Sequence, residues 1–243
     1  MGFFEKIGNF FVTKWQEVSD SFYLNFIKDN RWHFLTDGLF VTLEITFFAL
    51  LIGIVLGFLL AIIRSTHERT GKLKFLNGIS AVYITVIRGT PVVLQLLIAY
   101  FVIFASIDIQ KVIVAILAFG LNSAAYVAEI VRSGIMAVDE GQFEAGHSLG
   151  FNYAKTMRYI ILPQAIKNIL PALGNEFIVL IKETSVAGYI AIEDLTKGGD
   201  IIRSRTYSPF MPLLAVALIY LTMVIIFQKG VNLLERRLRN SDH

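Results

Sequence analysis

The chain has 243 residues, 55% hydrophobic and 17% charged, with a formal net charge of +3. Soluble domains carry about 25% charged residues, so the composition places the chain in the membrane class, and so small a net charge gives no footing for nucleic acid. The absence of cysteine excludes disulfides, thiol catalysis and cysteine metal sites, and His33, His67, His147 and His243 fall in no i,i+4 metal spacing.

Met1-Gly2-Phe3-Phe4-Glu5-Lys6 lacks a basic region ahead of an apolar core, and Lys14, Glu17 and Asp20 soon interrupt the apolar residues, so no signal peptide is read. Phe3, Phe4, Ile7, Phe10, Phe11, Trp15, Val18 and Phe22 instead recur every three or four residues, with Lys6, Asn9, Thr13, Glu17 and Asp20 between them. That is an amphipathic helix, lying in the membrane interface or packed on other segments. A bilayer core about 30 Å thick takes about 20 helical residues to cross. Five segments qualify: residues 39–63, 79–105, 112–131, the shorter 166–181 with Pro171, Asn175 and Glu176, and 211–227. Open sheets do not survive in lipid, so the expected fold is all-α with five transmembrane helices. Arg64, Arg69, Lys72 and Lys74 follow the first span. Arg132, Lys155, Arg158 and Lys167 follow the third, and Lys229, Arg236, Arg237 and Arg239 follow the fifth. Alternating spans put all three groups on one side, which the positive-inside rule makes cytoplasmic, with the N-terminus outside and the C-terminus inside. The expected division is an N-terminal amphipathic segment over 1–37, a membrane domain over 38–232 and a C-terminal tail over 233–243.

Residues 134–163 are too polar to cross a bilayer, yet they are patterned. A short helix fits 142–149, Gly150 supplies a turn or left-handed φ, and a second helix starts with Asn152 as N-cap. Such a helix–turn–helix knob at a membrane face suits insertion into a cleft on a soluble partner. Its residues Glu144-Ala145-Gly146, Gly150, Ile160 and Leu162-Pro163 carry the spacing E-A-x-x-x-x-G-x9-I-x-L-P. This resembles the EAA loop of permease subunits of bacterial ABC importers, with Gly146 in place of the commoner Ala. Arg88-Gly89-Thr90-Pro91 with Gln95, Ala128-Glu129-Ile130 with Arg132, Leu162-Pro163-Gln164-Ala165, Leu170-Pro171 with Asn175-Glu176, Lys182 with Thr184-Ser185, and Ser204-Arg205-Thr206-Tyr207 resemble the polar amino acid branch. Together they cover roughly 38–238. The resemblance implies a type I importer permease fold and a pore subunit of an ATP-driven amino acid importer working by alternating access. The loop would couple to a separate ATPase through Glu144, Ala145, Gly146, Gly150, Leu162 and Pro163. Implied partners are two cytoplasmic ATP-binding subunits that carry ATP and Mg, an extracytoplasmic amino-acid-binding protein, a second permease copy or paralogue, and the lipid of a bacterial cell membrane. No G-x-x-x-x-G-K-[ST] loop occurs, so this chain has no phosphate cradle, no cofactor or metal site and no catalytic residues of its own to assign.

An ionisable group within the bilayer costs about 2.5–3.5 kcal/mol and therefore faces a cavity or a partner. Glu176 meets either the ammonium or a cationic side chain of a substrate, or a buried base such as Arg88. Glu129 and Arg132, three apart on one helix face, suit a structural ion pair. Asn122 and Tyr126 line a pathway or simply pack. Thr90-Pro91 breaks the second span, and Gln95, one turn on, contacts a polar ligand or serves the kink. Asn175 beside Glu176 joins the same candidate pathway. Two other classes fit a small membrane bundle. An ion-coupled secondary transporter would carry inverted repeats and more spans; a passive channel would not need the coupling spacing.

Overall fold

A stripe of small side chains runs down the longest helix of the computed structural model, which describes residues 3–239. This helix, α2 (His33–Thr70), buries Gly38, Thr42, Ala49, Gly53, Gly57, Ala61 and Ser65, spaced by one or two helical turns and hence on one face. Against the stripe runs α5 (Lys111–Met136). A Cβ added at Gly53 would stand 2.7 Å from Ser123 Oγ, and one at Gly57 would stand 2.6 Å from Val127 Cβ. Gly120 of α5 meets Ile52 as closely from the other side, at 2.9 Å. Lipid tails are as apolar as leucine, so helices in a membrane associate through close packing, which small residues permit. Residues 53 and 123, then 57 and 127, face each other in ascending order, so α2 and α5 run parallel.

The other helices follow from this pair. Helix α8 (Leu162–Glu183) runs antiparallel to α5, with Gly134 against Ile169 near one end and Ser123 bonded to Glu176 near the middle. Helix α10 (Phe210–Arg239) packs antiparallel on α8, Gly174 against Val231 and Phe177 against Phe227. The ends of α2, α5 and α10 and the start of α8 thus share one end of the bundle, the end carrying the three basic groups. Among the described residues, three helices are long and apolar enough to cross a membrane: α2, α5 and α10. Helix α8, expected as a span, is 22 residues long with Glu176 in its interior and is not among them.

The second expected span departs from a kinked rod. It is two helices, α3 (Lys74–Gly89) and α4 (Val92–Ile98, continued by a π-helical turn Ala99–Ile103), bent by 108°. Taken as one span, the pair makes a fourth crossing element. The break has a local cause. Pro91 has no N–H to donate and pushes Thr90 into the extended region, φ −121° and ψ 146°.

Helix α1 spans Phe3–Phe22. The side chains of Phe3, Phe4, Ile7, Phe10 and Phe11, like Met1 and Gly2, lie outside the described residues. Trp15 is 75% exposed, and Val12, Val18 and Phe22 are exposed as well, so this part of the apolar face is not packed on other helices. The segment is tied down at Asn25, fully buried, whose Nδ2 donates to Ser21 O and Ser208 Oγ while its Oδ1 accepts from Thr206 Oγ1 at 2.8 Å. The knob helices are α6 (Gly141–Ser148) and α7 (Tyr153–Thr156). At the far end of the bundle a 3-10 turn, Thr184–Ile190, leads to α9 (Leu195–Thr206), capped by buried Asp194 through the N–H groups of Thr196 and Lys197. The tail expected from residue 233 begins as a continuation of α10, and residues 240–243 lie outside the described part.

Gly57→Leu is expected to lose folded protein, because overpacking a tight seam costs about 1–3 kcal/mol or more. Gly78→Leu, with nothing within 4 Å of its added Cβ, should leave stability unchanged. Thermal unfolding of both variants in detergent, followed by size-exclusion profile, checks the contrast.

Candidate functional site

Two regions gather the functional candidates: the knob at the basic end and an open cavity among α3, α5 and α8 into which several polar side chains reach. In the knob, α6 ends on Gly150 with φ +75°, the left-handed region in which a glycine carries no side-chain penalty. Asn152 then caps α7, its Oδ1 accepting from Lys155 N at 3.0 Å. Phe143 is 3% exposed and anchors α6 to the cluster formed by Ala61, Val127, Val131 and Ile161. Gly146 faces α7 so closely that a Cβ there would lie 2.6 Å from Thr156 Cγ2 and 2.7 Å from Thr156 Oγ1. The departure from alanine at this position therefore has a local cause, the β-branched Thr156 in the space an alanine methyl would take. Glu144, Ala145, His147, Ser148, Leu149 and Gly150 are exposed and form the outer surface of the knob. Leu162 is half-buried and Pro163 opens α8. Beneath the knob, burial pushes the Tyr153 phenol above its ordinary range, against a hydrogen bond to Thr66.

The cavity has a volume of about 380 Å³ and lies among α3, α5 and α8. Tyr126, Glu129 and Ser133 of α5 line it from successive turns, as do Asn168, Ala172 and Glu176 of α8, with Arg88 from the end of α3. Glu176 is 7% exposed, and its Oε1 accepts a hydrogen bond from Ser123 Oγ at 2.8 Å. No ion pair joins it to Arg88 among the described residues; the Arg88 guanidinium sits over the Tyr126 ring, 5.4 Å from its centroid. Glu129 is taken up by Arg132, whose Nη2 donates to it at 2.5 Å, and Arg132 also reaches Glu68 of α2 at 3.8 Å. The cavity thus sets the Arg88 guanidinium and the Glu176 carboxyl, not ion-paired with each other, in one space beside the Arg132-bound Glu129.

The residues expected along a pathway do not all meet there. Glu176 and Tyr126 do, together with Arg88 and Glu129, both expected in ion pairs. Thr90, Gln95 and Asn122 form a second cluster at the break between α3 and α4. Gln95 Nε2 donates to Ile87 O at 2.8 Å and to Thr90 O at 3.1 Å, and its Oε1 accepts from Asn122 Nδ2 at 3.0 Å. Those carbonyls are acceptors the interrupted helix leaves without its own N–H donors, so the Gln95 side chain serves the kink. Asn175 is exposed and accepts from Gln228 of α10 at 3.4 Å, on a face away from the cavity. Sequence reasoning missed Asn168 and Ser133. Their signal was helical spacing alone: Asn168 stands two turns before Glu176, and Ser133 one turn after Glu129.

The chain matches the family described as binding-protein-dependent transport system inner membrane component over residues 53–240. It is 39% identical over 211 residues to the arginine transport system permease protein ArtQ of Bacillus subtilis, covering 86% of this chain and 94% of that protein. It is 32% identical over 214 residues to the L-cystine transport system permease protein TcyB of the same organism, covering 87% and 89% respectively. Among solved structures, a chain of an amino acid ABC transporter with histidines superimposes with a TM-score of 0.80 at 44% identity, covering 87% of this chain and 98% of that one.

Gln95→Leu is expected to destabilise the chain by about 1–3 kcal/mol, since it leaves the Ile87 and Thr90 carbonyls and the Asn122 amide without this partner. Thermal unfolding in detergent checks it; unchanged stability with impaired substrate-stimulated turnover would move Gln95 into the pathway.

Proposed function

Because the chain belongs to the family of binding-protein-dependent transport system inner membrane components, we propose that it is the membrane-spanning subunit of an ATP-driven amino acid importer working by alternating access. Permease subunits of this kind are not enzymes; ATP, with Mg, is bound and hydrolysed on a separate cytoplasmic subunit. The observation that carries the coupling is the knob: Glu144, Ala145, His147 and Ser148 stand exposed on a short helix, followed by exposed Leu149 and Gly150, while its base, Phe143, is locked into the core. A rigid, exposed turn at the basic end of the bundle suits a docking element for an ATPase. ATP binding would shift the complex only to the extent that it favours one state over the other. In this reading five segments cross the membrane, counting the bent pair and α8, with the N-terminus outside, the C-terminus in the cytoplasm, and a second permease copy or paralogue alongside. A soluble binding protein would deliver substrate to the outer face.

The cavity supports an amino acid as cargo. A free amino acid carries a carboxylate and an ammonium, and Arg88 and Glu176 offer the opposite charge to each within one space of about 380 Å³. Relatives named for arginine and for cystine align over 86% and 87% of this chain, so the zwitterionic part is the common recognition element and the side chain varies.

The chain lacks cysteine, so a single Ser148→Cys in the knob reports docking directly. A short bifunctional crosslinker in native membranes is expected to capture an ATP-binding subunit, identified by mass; self-adducts alone from active membranes would remove the docking role and reopen the channel and secondary-transporter readings. Glu176→Gln is expected to reduce substrate-stimulated turnover about tenfold or more, the loss of one charge-assisted contact, with the assembled complex intact. Equal loss of assembled complex would make Glu176 a structural residue.

A further inference from the structure

The knob is tied to α2 at three places: Phe143 packs in one cluster with Ala61, Tyr153 is hydrogen-bonded to Thr66, and Arg69 holds the base of α6. Arg69 stands in the last turn of α2, just ahead of the left-handed Gly71 that ends it. Its guanidinium carbon lies 4.0 Å from the centroid of the Phe143 ring, and its Nη1 donates to Glu140 Oε1 at 2.9 Å. Glu140 precedes α6 and Phe143 lies in its first turn, so Arg69 holds the base of the knob at two points. The pair with exposed Glu140 is weak by itself. The stack on a buried ring is stronger, because the ring is desolvated and fixed.

The opposite end of α2 is gripped in turn. A Cβ at Gly38 would lie 2.6 Å from Asp194 O, and Thr42 Oγ1 accepts from Leu195 N at 3.1 Å, so α2 seats the cap and first residue of α9. Between these ends α2 is one uninterrupted helix of 38 residues, about 57 Å long at 1.5 Å per residue. Its seam with α5 is too closely packed to deform gradually.

We propose that Arg69 is a positioning residue for energy coupling: together with the Phe143 and Tyr153 contacts it makes the knob move with α2, so that a displacement of α6 by the ATPase reaches the cap of α9 through α2. The proposal rests on the importer reading.

The test uses the complete complex, with ATP-binding subunits and binding protein, in proteoliposomes, and reads amino acid uptake per ATP hydrolysed. Arg69→Met keeps bulk against Phe143 but removes the charge and the planar stack. It is expected to assemble and to keep basal ATP hydrolysis while uptake per ATP falls about fivefold. Arg69→Lys keeps a cation for Glu140 and should recover part of that ratio. Thr42→Val, at the other grip, should lower the ratio in the same direction, and the double variant should be no worse than the poorer single, as expected for two links in series. An Arg69→Met complex with wild-type uptake per ATP overturns the proposal and leaves the importer reading standing. Failure of Arg69→Met and Arg69→Lys alike to assemble also overturns it, making Arg69 a folding brace. Absence of ATP-dependent uptake in the wild-type complex would instead bring down the importer reading, and this proposal with it.

Discussion

The architecture depends on how closely α2 and α5 approach. In lipid no hydrophobic driving force separates helix–helix from helix–tail contact, so the pair is held by packing that only small residues allow. Gly53 and Gly57 of α2 and Gly120 of α5 leave no room for a Cβ. That seam sets two parallel rods, and every later helix takes its direction from them: α8 antiparallel on α5, α10 antiparallel on α8, and α9 wedged between the starts of α2 and α10 through Gly38 and Gly199. The same seam brings Ser123 into the middle of the bundle, where it meets Glu176.

Polar groups in the apolar interior fall into two kinds. Some are consumed by structure. Gln95 closes the acceptors left open by the Pro91 break and accepts from Asn122, Arg132 neutralises Glu129, and Asn25 ties the N-terminal segment to the turn between α9 and α10. Others face open space. Arg88 and Glu176 line one cavity without pairing, each with a lighter partner, the Tyr126 ring and the Ser123 hydroxyl. Intramembrane charges are costly, so groups left available to a ligand point to a pathway more strongly than those already satisfied.

The two ends of the bundle are built differently and are bridged by α2. At the basic end the knob is shaped by local chemistry: left-handed Gly150, the Asn152 cap, and Gly146 yielding its side-chain space to Thr156. At the other end α9 begins at a buried Asp194 pressed against α2. A helix that touches both regions through named side chains provides a physical route between them, which spatial proximity alone would not.

Much of this was legible in the sequence. Hydropathy located the long helices, and the loop pattern gave the knob its helix, turn and cap, because those features are set by neighbours within a few residues. Glu129 and Arg132 pair as their three-residue spacing requires. What the sequence could not supply was partnership at long range. Gln95 was open between a polar ligand and the kink, and the fold joins it to Asn122 across 27 positions; Asn175, adjacent to Glu176 in the chain, is turned toward α10. Pro91 announced a kink, but its size, 108°, depends on what α4 packs against. Composition and periodicity thus determined the class and the long helices, and the resemblance carried by the loop residues pointed to the family. Which polar groups are satisfied and which remain available was decided only by tertiary structure, because a buried side chain's role depends on the partner that packing places beside it.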